Sequence, residues 1–306
     1  MGGGRLSGMP RRPYRPAELS GRIFRRSDVL RHGVLTAHQV RSSAWVRLRY
    51  DVYADARLLR DHDLACRAAL LGLPPDAVVA GPSAAYLLGV RHAAAFHDDV
   101  HVITHPKAPM LRQRGVFFHE TVLDPDETIS VDGRLCTTPL RTAWDLAGWF
   151  DVVRAVTVID GLLGSGLVQP VQLADLARAR RGRRGSALAR RAFELADGRA
   201  QSPPESQLRV RIVLSGLPQP QAQLAVPVRG RILHPDLAWP EYRVAVEYDG
   251  EWHDDPDQFH LDRRRLNLLV AERWIVLHVT SRRLRTDLPA VLTELRQALH
   301  SRGWRP

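Results

Sequence analysis

Lysine is almost absent from this chain: Lys107 is the only one, so the formal net charge of +11 rests on arginine. A basic surplus attracts polyanions by phosphate attraction and counterion release. An arginine-rich solvated surface gives the same count, so charge supports a nucleic-acid partner without deciding for one. Cysteine is scarce too. Cys66 and Cys136 lie far apart with no Cys or His at zinc-like spacing, which argues against a disulfide framework and a zinc knuckle and fits a reduced cytoplasm. Long hydrophobic runs are also missing. No stretch approaches the roughly 20 apolar residues of a membrane span, so a cytoplasmic chain without a membrane partner is expected. The segment from Met1 to Pro16 has no apolar run of the secretory kind and carries Leu6 where a myristoylation motif needs Ser or Thr, and it reads as a loose tail.

What is present is an ordinary globular composition, 44% hydrophobic and 25% charged, over 306 residues. That length suits several compact domains. From Ile23 to Tyr53 the pattern is helix, turn, short helix and basic strand pair. Thr36 with Gln39 forms a capping box, Gly33 ends the preceding helix, and Trp45 to Tyr53 mixes β-branched and aromatic residues with arginine as a small wing does. Gly33, Val34, Leu35, Thr36, Gln39, Val40, Asp51, Val52 and Tyr53 resemble the winged-helix N-terminal domain of abortive-infection antitoxins. Between the short helix and the wing only Arg41 to Ala44 remain, too few for a separate recognition helix. The unit is therefore read as a degenerate winged helix, which either touches nucleic acid or caps the next domain.

From Asp61 to Arg199 helical and strand-like pieces alternate. Ser83–Leu88, Thr142–Phe150 and Val152–Leu163 read as helices, and Val100–Thr104 and Val116–His119 as strands. The motifs Gly81-x-Ser83-Ala84-Ala85 and Thr137-x-Pro139-x-Arg141-Thr142-Ala143-x-Asp145-Leu146-Ala147 resemble the middle part of the same antitoxin-like proteins. His92, His97, His101, His105 and His119 lack paired ligand spacing and are not assigned a metal. The arginine run from Arg178 to Arg191, broken by Gly182 and Gly185, reads as a solvated link between two helices, with contact to a phosphate backbone as the alternative.

The last third carries the chemistry. Ser202 opens a helix from Pro203 to Ser215 that Gly216 closes, and Glu205 is either the acidic arm of a capping box or a site residue. A hairpin follows, with Ile232–Ala238 and Arg243–Tyr248 flanking the turn Trp239-Pro240-Glu241-Tyr242. That pairing sets Asp236 nearly opposite Glu247, while the period of two puts Glu247 and Asp249 on one face. Carboxylates gathered on one face repel unless a cation sits among them, and hard oxygen ligands suit Mg²⁺ or Mn²⁺. The alternative is an exposed, hydrated face. Gly250 allows close approach and His253 lies within reach as a proton relay. A helix is expected from Asp257 to Arg273, with Arg263, Arg264 and Arg265 as phosphate clamps or as partners of Asp262. Trp274–Thr280 is expected as a central strand and Leu288–Leu299 as the closing helix.

Residues 202 to 300 carry Pro204-Glu205, His234-Pro235-Asp236-Leu237-Ala238-Trp239-Pro240, Val246-Glu247-Tyr248-Asp249-Gly250-x-x-His253, Asp262-x-x-Arg265 and Trp274-Ile275-Val276-Leu277. They resemble a domain-of-unknown-function family related to very-short-patch-repair endonucleases, within the restriction-endonuclease-like superfamily. The resemblance implies a Mg²⁺-dependent phosphodiester site acting on DNA, carried by Glu205, Asp236, Glu247, Asp249 and His253. Asp249 stands where that superfamily's common pattern has lysine, and His253 or Arg243 are the candidate substitutes; Arg243, Arg263, Arg264 and Arg265 are the candidate nucleic-acid contacts.

The expected architecture is α/β. It comprises a flexible tail (1–20), a small winged-helix-like unit (21–60), an α/β middle domain (61–199) and a restriction-endonuclease-like mixed-sheet domain (200–306). Three functions follow: a divalent-metal-dependent DNA endonuclease; an antitoxin-like nucleic-acid-binding regulator with an inactive nuclease fold; or a structural protein that meets a partner protein through its N-terminal half.

Overall fold

The computed structural model describes residues 13–106, 113–250 and 268–306. The chain is α/β, and it separates into two compact units, one of residues 1–87 and 93–137, the other of 88–92 and 138–306. The three-domain reading is thereby redrawn, because the expected middle domain is shared between the units. Its helical half stays with the C-terminal part because a buried ion pair, Asp160 to Arg209, ties helices on either side of the expected boundary.

In the first unit, β1 (Ile23–Arg25), β3 (Val52–Asp55) and β2 (Trp45–Arg49) form a sheet in that order, with α1 (Arg26–Arg31) and α2 (Ala37–Val40) between the first two strands in sequence. Residues 23–25 were expected to begin a helix and instead pair with β3, their backbone groups completing its free edge. The capping box at α2 forms as expected: Gln39 N–H donates to Thr36 Oγ1 at 3.2 Å and Thr36 N–H to Gln39 Oε1 at 2.7 Å. The last residues of the expected tail are built in. Leu19 is buried with Phe24, Val29 and Trp45, and Arg15 reaches Asp55 at 3.4 Å.

The same unit holds α3 (His62–Leu70), β4 (Val78–Val79), α4 (Gly81–Leu87), β5 (Val100–Thr104), β6 (Val116–Glu120), β7 (Thr128–Val131) and β8 (Arg134–Thr137). Its mixed sheet runs β6-β5-β4-β8-β7. Cys66 and Cys136 are buried in the core beneath it as free thiols, and burial pushes them up to about 12 and about 11, the behaviour of packed rather than reactive sulfur.

The second unit begins with four helices, α5 (Pro139–Trp149), α6 (Val152–Gly164), α7 (Pro170–Ala179) and α8 (Ser186–Leu195). Arg181, Arg183 and Arg184 are exposed between α7 and α8, as the solvated-link reading expects, while Arg180 lies over the Trp144 ring at 4.9 Å. Next come α9 (Pro203–Leu214), β9 (Gln221–Ala222), β10 (Val226–Val228), β11 (Arg231–Leu233), β12 (Leu237–Trp239), β13 (Val244–Asp249), β14 (Ile275–Thr280), α10 (Ser281–Thr286) and α11 (Leu288–Ser301). Their main sheet has the order β14-β13-β12-β9.

Two expectations change here. Ile232–Ala238 is not one strand: it breaks at His234-Pro235, where proline removes a ladder donor, and β11 pairs with β10 instead. β14 stands at one end of the described sheet rather than at its centre, parallel to β13.

The sheet has two unlike faces. Val244, Val246, Leu277 and Val279 pack with Leu208, Ile212, Leu295 and Leu299, so α9 and α11 cover one side. Val276 meets Val228, Leu233 and Leu269 on the other. The polar strand positions share that second side, where alternation puts Glu247, Asp249 and His278.

Candidate functional site

The site grows from the turn that follows β12. Tyr242 N–H donates to the Trp239 carbonyl at 3.1 Å and Arg243 N–H to that of Pro240 at 3.2 Å, which fixes the register Leu237 to Val246, Ala238 to Ala245 and Trp239 to Val244. Carried one step on, that register sets Asp236 abreast of Glu247, as the sequence predicts, just beyond the last ladder pair. There the side chain takes over from the backbone: Asp236 Oδ2 accepts Tyr248 N–H at 2.8 Å.

Gln223 joins two of the predicted acids. Its Nε2 donates to Asp236 Oδ1 at 3.0 Å and to Glu205 Oε2 at 3.2 Å, and its backbone N–H donates to the Asp236 carbonyl at 3.0 Å. Gln223 adopts a φ of +51°, in the left-handed region, to aim both groups at once. A carboxamide offers two N–H bonds, so a neutral group holds two anions together. Glu205 is buried, with Ser202 Oγ donating to Oε1 at 2.7 Å and Gln201 N–H to Oε2 at 2.9 Å. Glu205 therefore stabilises the start of α9, taking the amide before the cap residue rather than that of Ser202, and it shares the Gln223 amide with Asp236.

Asp249 turns to a different partner. His278 Nδ1 lies 3.1 Å from Asp249 Oδ2, and both side chains are close to half exposed. The parallel register sets His278 beside Glu247. Sequence reading passed over both Gln223 and His278. The signal for His278 was available, as a single ionisable residue inside an apolar strand on the parity that carries the polar face. Nothing local marks Gln223, whose role depends on α9 and β12 meeting.

Among the described residues no group of three or more His, Cys, Asp or Glu is arranged to hold a metal ion. The expected triad of Asp236, Glu247 and Asp249 shares a sheet face without forming such a set, because Asp236 is drawn along the sheet to Tyr248 and Asp249 across to His278. Arg243 is corrected more firmly. It closes the turn just before β13, four residues before Glu247 and roughly 13 Å away at the rise of a strand. Its guanidinium reaches the Glu272 carbonyl at 3.5 Å, so it takes no part beside the acids. His253, Arg263, Arg264 and Arg265 lie outside the described residues, as does most of the helix expected from Asp257 to Arg273.

The histidines of the first unit give one further surprise. His101 Nδ1 and His119 Nε2 come within 2.9 Å across β5 and β6, a pair that spacing in sequence concealed. Burial, and then His101, pushes His119 down to about 3.

Two proteins of Mycobacterium tuberculosis match most of the chain. The uncharacterized protein MT2308 of strain CDC 1551 and the uncharacterized protein Rv2248 are each 32% identical to it over 246 residues, covering 79% of this chain and 87% of theirs. The chain belongs to their family. The aligned length of 246 residues is too great for the C-terminal sheet alone, so the likeness extends beyond residues 202–300. No family model matches the chain, and no solved structure matches it.

Proposed function

We propose that this chain is a divalent-metal-dependent endonuclease that hydrolyses phosphodiester bonds in DNA. The observation that carries the reading is the gathering of Asp236, Glu247, Asp249 and His278 on one face of β12, β13 and β14, with Glu205 tied in through Gln223. Gathered acids need a counter-charge, and the net charge of +11 favours a polyanionic substrate.

The donor set suits Mg²⁺ or Mn²⁺ held in the sparse manner of such sites, by one or two carboxylates with water and phosphate oxygens making up the rest. Asp236 and Glu247 are the residues that would hold the ion, two carboxylates that the hairpin register sets abreast. When bound, such an ion polarises the scissile phosphate and lowers the pKa of water. The other roles belong to the chain. Gln223 and Glu205 hold the Asp236 carboxylate in place. Asp249 accepts a hydrogen bond from His278 Nδ1–H, so that the Nε2 lone pair of the neutral ring takes a proton from the attacking water. His278 thus takes the place that sequence reading gave to His253, beside the acid that stands where lysine is usual.

Supercoiled plasmid incubated with the full chain and Mg²⁺ or Mn²⁺ tests the reading. Nicking that EDTA stops and Glu247→Gln abolishes is expected, and equal nicking by both proteins would reject the site. A second reading has its own observation: α1 and α2 are followed by the strand pair β2 and β3, with β1 completing the sheet, an order suited to an antitoxin-like nucleic-acid-binding regulator. Binding to an operator without any metal requirement would favour it. A cytoplasmic location is part of either proposal; no described helix is long and apolar enough to cross a membrane.

A further inference from the structure

The first unit contains a concavity of about 940 Å³ beside the turn of the wing. Four arginines line it, Arg25, Arg47, Arg49 and Arg114, together with Tyr50 and Phe96. Two aspartates also reach the lining, but both are engaged elsewhere. Asp51 accepts Ser27 N–H at 2.9 Å and Ser27 Oγ–H at 2.6 Å, and Asp98 accepts Ala95 N–H at 2.8 Å.

The arginines are otherwise placed. Arg49 is partly buried and donates to the carbonyls of Arg114 at 2.6 Å and Gly115 at 3.1 Å. Arg47 reaches the Arg49 carbonyl at 3.2 Å and Arg25 the Leu71 carbonyl. No carboxylate among the described residues forms an ion pair with any of the four. Burial lowers the Arg49 pKa from its ordinary value, and Asp99 only partly opposes that shift. Guanidinium groups held in a concavity by carbonyl hydrogen bonds, without a carboxylate in ion-pair contact, are positioned to receive an arriving anion.

Size and lining narrow the anion. The concavity falls in the range of small-molecule sites and is far larger than an inorganic ion needs. Tyr50 is 88% exposed at the tip of the turn and offers a π-face, Phe96 is a half-buried ring in the lining, and arginine forks match phosphate oxygens. We propose that this concavity binds a nucleotide, its phosphates on the Arg25, Arg47, Arg49 and Arg114 side chains and its base against Tyr50 or Phe96.

The test is calorimetric titration of the full chain with ATP in EDTA, so that a metal-dependent site elsewhere contributes nothing. Pyrophosphate, adenosine and a short single-stranded oligodeoxynucleotide are titrated beside it. Saturable ATP binding is expected, weaker for pyrophosphate and absent for adenosine. Arg47→Glu and Arg49→Gln should each weaken binding at least about tenfold. Thermal melts report whether the variants fold; Arg47 is exposed, so its variant carries the test if Arg49→Gln does not. An oligonucleotide that displaces ATP and binds more tightly identifies the phosphates of a strand as the source, and the reverse order identifies a free nucleotide. Absence of saturable binding by both ATP and the oligonucleotide, or undiminished binding by Arg47→Glu, overturns the proposal and leaves the nuclease reading untouched.

Discussion

The Asp236 carboxylate accepts the backbone N–H of Tyr248 at 2.8 Å, so a side chain continues the hydrogen bonding beyond the last ladder pair, Leu237 and Val246. This bond makes Asp236 a structural residue as well as a proposed metal ligand, and the two roles separate by mutation. Asp236→Ala removes the acceptor for Tyr248 N–H and for the Gln223 amide, at a cost of about 1–3 kcal/mol. Asp236→Asn keeps one acceptor oxygen and should lose less stability while losing nicking as fully. Urea midpoints check this; an unchanged midpoint for the alanine variant would mean that water replaces the carboxylate.

Arg209 is wholly buried, and its Nη2 lies 2.7 Å from Asp160 Oδ2. Asp160 also accepts Asp197 N–H at 2.7 Å, and Arg209 donates to the Leu195 carbonyl, so one pair fastens α6, α8 and α9. Arg209→Met alone strands a buried carboxylate and should cost about 3–5 kcal/mol. Adding Asp160→Asn neutralises the acid while keeping an acceptor for Asp197, and should restore much of the loss. A double variant no better than the single one would show that packing, not charge, sets the cost.

Asp55 is buried against Arg57, whose Nη2 is 2.8 Å away, and Gly21 N–H, at the same distance. The Arg57 hydrogen bonds come first in holding its carboxyl far below the usual range. A depressed folded pKa means that the stabilisation is present above the unfolded value of about 3.9 and lost as pH falls below it. The N-terminal unit should therefore lose stability on acidification below about pH 4, and Asp55→Asn should flatten that dependence. Equal acid sensitivity in the variant would assign the loss to other carboxylates.

His119, held to about 3, stays neutral in the folded chain where the unfolded chain takes up a proton below about 6.5. Stability from this residue is full above about 6.5 and falls with pH through the window down to about 3. His119→Phe should remove that slope. In an NMR titration the His119 ring should show no protonation near pH 5; a midpoint near 6.5 would contradict its burial.

Gly198 meets α6 so closely that an added Cβ would lie 2.6 Å from Leu163 Cβ and 2.8 Å from Gly164 N. Backbone cannot yield as a flexible side chain can, so Gly198→Ala should cost about 1–3 kcal/mol. A melting temperature equal to that of the parent would show that the loop moves freely off the helix.

Local sequence determined much of this protein. The capping box at Thr36, the helix opened by Ser202, the strand Val100–Thr104 and the alternation that puts Glu247 and Asp249 on one face all depend on neighbours a few residues apart, whose chemistry is written in order along the chain. The tight turn at Trp239–Arg243 likewise fixed the register that brings Asp236 abreast of Glu247.

Tertiary structure decided what no local pattern contains. Gln223 became the link between Glu205 and Asp236 because α9 and β12 approach each other, and His278 reached Asp249 because β14 pairs parallel to β13. The end position of β14, the meeting of His101 with His119 and the burial of Arg209 against Asp160 arise the same way. Hydrogen bonds and ion pairs between distant segments form only after apolar faces have packed, and packing is a property of the whole unit rather than of any stretch within it.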